Sequence, residues 1–208
     1  MDLDVVDVAA PVRASRVRPG LHVHVATPEQ LSGATGQPVR VVSAADACVL
    51  TAAASGFEAG VVAMDAALHR RLVTRDALTA AGALPGSRYG IGTVRHAIAA
   101  SDSRCESPGE TLTRLVLVAA GLTVRSQVSL DDEDGFIGRV DLLVGDRVVV
   151  EFDGAVKYDG LDGKRELMAE KRREERLRDA GYRVVRVTWA DLSHPERLVR
   201  RVLGQLAA

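Results

Sequence analysis

Three carboxylates stand inside two aliphatic runs. Asp141 lies in Gly138-Arg139-Val140-Asp141-Leu142-Leu143-Val144, and Glu151 and Asp153 end the run Val148-Val149-Val150-Glu151-Phe152-Asp153. The runs read as two β-strands joined by a turn at Gly145-Asp146-Arg147. Aliphatic and β-branched residues suit a buried pleated surface, and Gly-Asp is turn chemistry. Acids are poor strand formers and costly to bury alone. Glu151 and Asp153 are two apart and so point the same way, and strand pairing brings Asp141 toward them at a sheet edge. Carboxylates gathered in one place repel unless a proton or a cation sits among them. An all-oxygen donor set of this kind suits Mg²⁺ or Mn²⁺. On these three residues alone, a metal cradle and a pair of strand-end acids balanced by an arginine are equally good accounts.

The elements that must position them follow from the flanking sequence. Ser107-Pro108-Gly109-Glu110 is a helix start, with a Ser cap, Pro at the first helical position and an acid in the first turn. That helix runs through Leu112, Leu115, Val116 and Ala119 and stops at Gly121. A strand over 124–130, a turn over 131–135 and a strand over 136–144 follow, then the strand from Val148. A charged helix spans about 163–180, a strand 182–187, and Pro195 opens a last helix. Trp189, just after that strand, reads as a core residue.

The first hundred residues have a different texture. Residues 1–42 are β-rich, with alternation at Leu21-His22-Val23-His24-Val25 and a β-prone run at Pro38-Val39-Arg40-Val41-Val42. His22 and His24 share a strand face, but no third ligand accompanies them. Ser43 caps an Ala-rich helix, and further helices span about 57–71, from Thr74 to Gly82, and 91–100. They lack catalytic clusters and read as scaffold. The polar stretch from Ser101 to Gly109 is the domain boundary, which divides the chain into 1–102 and 103–208. The fold class is therefore α+β, a small helical domain with short strands before a mixed α/β domain.

Composition narrows the function classes. The 208 residues are 47% hydrophobic and 26% charged, as in an ordinary globular protein. A formal net charge of -1 offers no global field for nucleic acid, and 3% aromatic residues make no stacking platform for single strands. Cys48 and Cys105 form neither a metal spacing nor a disulfide framework, which fits a reducing cytoplasm. The acidic N-terminus is wrong for a secretory signal, and no apolar run approaches the roughly 20 residues that span a membrane.

Several separated blocks, in order, resemble a known superfamily. They are Glu106-Ser107-Pro108-Gly109-Glu110, Gly138-Arg139-Val140-Asp141, Glu151-Phe152-Asp153-Gly154-Ala155-Val156-Lys157-Tyr158, Glu170-Lys171-Arg172-Arg173-Glu174 and Ala180-Gly181-Tyr182-Arg183-Val184-Val185-Arg186. Over about 104–206 the chain resembles the very-short-patch-repair (Vsr)-like endonuclease domains of the PD-(D/E)XK superfamily. Residues about 20–100 are similar to the C-terminal part of AbiEi-type antitoxins, a weaker likeness that suggests a scaffold or a protein-partner surface. The resemblance implies a restriction-endonuclease-like core of helix, mixed sheet and helices, and a Mg²⁺- or Mn²⁺-dependent DNA endonuclease of repair, restriction or phage-defence type. It implies Asp141 and Glu151 as metal ligands and Glu110 as holder of a metal-bound water or a second ion.

Asp153 stands where the superfamily motif has its lysine. Either Lys157, from the loop, or Lys171, from the helix, returns an ammonium to the site, and Lys157 ranks first. Arg139 and Arg186 are the best-placed phosphate contacts. The ridge with Lys171 and Arg172 is interleaved with acids, so ion pairing on a solvated helix competes with a DNA track there. A regulator of DNA-binding or antitoxin type that keeps the fold without the chemistry is the alternative.

Overall fold

The computed structural model describes residues 6–26, 42–83, 90–154 and 161–208, with backbone alone at Asp7 and 161–167. The chain divides into two compact units, Met1–Ser103 and Arg104–Ala208. The β-prone run at 38–41 and the loop holding Lys157 lie outside the described residues.

In the first unit, β1 (Val6–Ala10), β2 (Arg16–Arg18) and β3 (Leu21–Val25) form a sheet in the order β1-β3-β2, with β1 parallel and β2 antiparallel to β3. Two of these strands, β1 and β2, carry no alternation strong enough to announce them. They form by pairing on β3, whose His22 and His24 rings lie 4.0 Å apart. Four helices follow: α1 (Ala44–Ser55), α2 (Phe57–His69), α3 (Arg75–Ala83) and α4 (Ile91–Ala100). The Ser43 side chain accepts from the Asp46 N–H and Thr74 from the Ala77 N–H, so both expected caps form. Small residues let the helices approach closely: a Cβ on Gly60 would lie 2.4 Å from the Ala52 Cβ. Arg75 donates to the carbonyls of Ile98 and Ser101 at the end of α4, both at 2.6 Å.

The second unit is three-layered. A sheet in the order β4-β5-β6-β7 is built from β4 (Val124–Asp132), β5 (Gly135–Val144), β6 (Val148–Phe152) and β7 (Arg183–Val187). The first three strands are an antiparallel meander and β7 joins β6 in parallel. On one face, Leu142, Val144, Val148 and Val150 pack with Leu117 of α5 (Pro108–Ala119) and Leu198 and Val202 of α8 (Pro195–Ala207). On the other, Leu143 and Val149 pack with Leu177 of α6 (Leu161–Asp179). Parallel pairing needs a crossover between β6 and β7, and α6 is that crossover.

The β4–β5 hairpin is longer than the sequence suggests, leaving a two-residue loop between Asp132 and Gly135. Arg176 of α6 explains the extension. It binds both Asp132 carboxylate oxygens and donates to the carbonyls of Gly135 and Phe136. Trp189 is not a core residue. β7 stops at Val187, Thr188 caps the one-turn helix α7 (Trp189–Leu192), and the indole packs edge-on to Phe152 with 51% of its surface exposed.

Candidate functional site

The site begins with a row across the sheet. Ser126 faces Leu142 and Val128 faces Val140, so Gln127 stands across from Asp141. Leu142 faces Val150, so one step on Asp141 stands across from Glu151, and Glu151 pairs with Arg186. Gln127, Asp141, Glu151 and Arg186 thus form one polar row over four strands, next to rows that are almost wholly aliphatic. The Phe152 N–H donates to Asp141 Oδ2 at 2.9 Å, fixing that carboxylate at the strand end.

Glu110 reaches the same place from α5. Ser107 caps the helix by accepting from the Glu110 N–H, and Glu110 Oε2 accepts from the Glu106 N–H at 3.0 Å. The same oxygen accepts from Gln127 Nε2 at 2.8 Å, and that amide also donates to Asp141 Oδ1 at 3.5 Å. Glu110 therefore serves both as a helix-start residue and as a member of the cluster. Gly109 makes the approach possible. A Cβ there would fall 2.1 Å from the Phe152 ring, so any larger residue would push α5 and the end of β6 apart.

The electrostatics follow from this crowding. Burial pushes the Asp141 carboxyl up to about 6, and the charges of Glu110 and Glu151 add to the rise against the Phe152 and Gln127 hydrogen bonds. Glu151 has a different partner. Arg173 of α6 donates to both its oxygens, at 2.7 and 2.9 Å, with the two side chains only 22% and 14% exposed. Arg173 also binds Glu170, and this hydrogen bond first of all holds the Glu170 carboxyl below its usual range. Arg186 extends the network to Glu170 and Glu174 at 2.6 and 3.1 Å.

The expected residues therefore divide. Glu110, Asp141 and Glu151 come together. Asp153 lies past the strand end, exposed, its N–H donating to the Val187 carbonyl at 2.7 Å. Lys171 does not bring an ammonium to the site: it is 77% exposed, 3.9 Å from Glu175. The helix does deliver a cation to Glu151, but from Arg173, because residues two apart on a helix do not share a face. Arg139 is engaged with Glu106 at 2.8 Å, and Arg172 is exposed. Among the described residues, no group of three His, Cys, Asp or Glu is arranged to hold a metal ion as it stands.

Gln127 and Arg173 are the site residues that the sequence reading passes over. The signal for Gln127 is an amide in mid-strand. For Arg173 it is an arginine three residues after Glu170, inside a run of three basic residues.

No family model matches the chain, and no solved structure matches it. The chain is similar to two uncharacterized proteins of Mycobacterium tuberculosis, MT2308 of strain CDC 1551 / Oshkosh and Rv2248 of strain ATCC 25618 / H37Rv. It is 30% identical to each over 147 residues, 70% of this chain and 51% of theirs. The chain thus spans about half the length of these curated relatives.

Proposed function

We propose that residues 104–208 are a restriction-endonuclease-like domain that hydrolyses phosphodiester bonds of duplex DNA with Mg²⁺ or Mn²⁺. The observation that supports this most is the Asp141 carboxylate, held between Glu110 and Glu151 with its pKa pushed up to about 6. Three acids brought together against their mutual repulsion support a cation-binding role for this place in the fold.

The donor chemistry fits a hard divalent ion, since every candidate ligand atom is an oxygen. The Arg173 guanidinium on Glu151 stands in for part of the positive charge. Asp141 and Glu151 would hold the ion, with Glu110 beside them. When bound, such an ion supplies charge for the pentacovalent phosphate and acidifies a water. The chain's own residues fix the Asp141 carboxylate through the Phe152 N–H and seat Glu110 through the helix cap. Cys48 and Cys105 are buried thiols outside any disulfide, which supports a reducing cytoplasm. The Ala-rich helices of the first unit, free of acid clusters, suit a scaffold or partner-binding role.

The test is incubation of the full chain with linear, supercoiled and mismatched duplex DNA under each ion. Cleavage or nicking is expected, falling by roughly 100-fold or more in Asp141→Ala and in Glu151→Ala. Absence of cleavage on all substrates with both ions overturns the reading.

A second reading is favoured by two observations: Arg173 engages both oxygens of Glu151, and Asp153 stands in place of the motif lysine. It is a DNA-binding or antitoxin-type regulator that has kept the fold and lost the chemistry. It predicts salt-sensitive DNA binding that is unchanged by removing divalent ions.

A further inference from the structure

Gln127 is one of two non-glycine residues with positive φ among the described residues, at φ 53°. A side chain in the left-handed region inside a strand is a strained arrangement that persists only where its surroundings impose it. Gln127 sits in the middle of β4, between the ladder pairs Ser126–Leu142 and Val128–Val140. Beside it, β5 departs from strict alternation: Val140 and Leu143, three apart, pack together. Asp141 lies between them. The strain therefore falls where the orientation of the central carboxylate is set.

The side chain uses the position it gains. Its amide nitrogen donates to Glu110 Oε2 at 2.8 Å and to Asp141 Oδ1 at 3.5 Å. A carboxylate only accepts, so two carboxylates on one amide fix which end of the amide faces them. A neutral double donor lets an acid of α5 and an acid of β5 stand together without carrying a charge of its own into the site.

From this we infer that Gln127 is a positioning residue: it aligns Glu110 with Asp141 for a divalent cation, and the backbone strain at this residue is retained for that purpose. The inference rests on the metal-dependent reading above and adds to it a residue outside the acidic motif. Partners of ligands in the surrounding shell typically carry 10–100-fold of metal affinity.

The experiment compares Gln127→Gly with Gln127→Ala in the full chain. Both remove the amide, but glycine relieves the positive φ and alanine keeps it. Mn²⁺ affinity by calorimetry and the melting midpoint of the metal-free protein are both measured. The expected result is a Mn²⁺ affinity about 10–100-fold weaker in both variants, although the glycine variant melts above the alanine variant. If affinity follows stability, so that Gln127→Gly binds Mn²⁺ like the wild type, the residue is merely structural and the inference fails. Unchanged or tighter binding in both variants also overturns it. Absence of Mn²⁺ binding by the wild type is a separate result, which removes the metal-dependent reading and this role together. Gln127→Asn guards against misfolding: asparagine tolerates the left-handed region but is one methylene too short to bridge, and it is expected to lose Mn²⁺ affinity like the other two.

Discussion

Two acids, one in each unit, show what separates a structural carboxylate from a candidate site. Asp65 of the helical unit is 1% exposed and accepts the Asp102 N–H at 2.6 Å, tying α2 to the segment that leaves α4. Asp141 of the sheet unit is less deeply buried and accepts the Phe152 N–H at 2.9 Å, tying β5 to the end of β6. In both, a carboxylate satisfies a backbone donor that would otherwise be short of a partner. Burial alone does not distinguish them, and by burial Asp65 would rank first. Asp141 stands among other acids: burial raises its pKa first of all, and the charges of Glu110 and Glu151 add to the rise.

That contrast gives opposite signs on mutation. Asp65→Ala leaves the Asp102 N–H without its acceptor and is expected to cost about 1–3 kcal/mol, read as a lower melting midpoint with Mn²⁺ affinity unchanged. A loss of Mn²⁺ affinity as large as that from an Asp141 variant would erase the distinction drawn between the two acids.

Asp141→Asn is the sharper half of the pair, because it should stabilise the protein at neutral pH. The Asp141 carboxyl has an ordinary value of 3.8 and titrates at about 6 in the fold. The folded state therefore holds a proton that the unfolded chain has released, and stability from this group falls as pH rises from about 4 to about 6. Above that, the charged carboxylate costs about 1–2 kcal/mol once solvent screening is allowed for. Asparagine is the neutral isostere and still offers an oxygen to the Phe152 N–H. Guanidinium unfolding at pH 7 should show the variant more stable by that margin, and at pH 4 the gain should have vanished. A variant less stable than wild type at pH 7 would mean that the charge on Asp141 is already compensated in the apo protein.

The same features decide what could be read from sequence. The cap at Ser43 and the start at Ser107-Pro108-Gly109-Glu110 were legible because a cap is made within a few residues. The three acids were legible as residues out of place in greasy strands. The row from Gln127 to Arg186 was not, because its register is set by pairing across four strands, and a lone glutamine carries no charge to draw notice. β1 was missed for a similar reason: its strand state comes from parallel pairing with a segment about 15 residues away. Arg173 instead of Lys171 was a question of helical phase, and a basic triplet leaves that open until the helix is packed. Trp189 was misplaced because its burial depends on where β7 ends and a capped turn begins.

The smallest effect on stability belongs to Arg172, and it separates DNA binding from ion pairing on the same helix. Arg173 is committed to Glu151 and Glu170, Arg176 to Asp132, and Arg178 to Glu174. Arg186 and Arg139, the phosphate contacts favoured by the sequence, are likewise held by Glu170 with Glu174 and by Glu106. A guanidinium in such a pair must give up its carboxylate before it meets a phosphate. Arg172 is exposed and shows no ion pair among the described residues. Arg172→Ala should therefore leave the melting midpoint within about 0.5 kcal/mol of wild type. It should weaken duplex binding across sequences and reduce the slope of log affinity against log salt by about 1. Arg186→Ala should do the reverse, lowering stability by removing one of the two arginines on each of Glu170 and Glu174 while changing the salt slope little. If the slope instead falls for Arg186→Ala and stays fixed for Arg172→Ala, DNA competes with Glu170 and Glu174 for Arg186 itself.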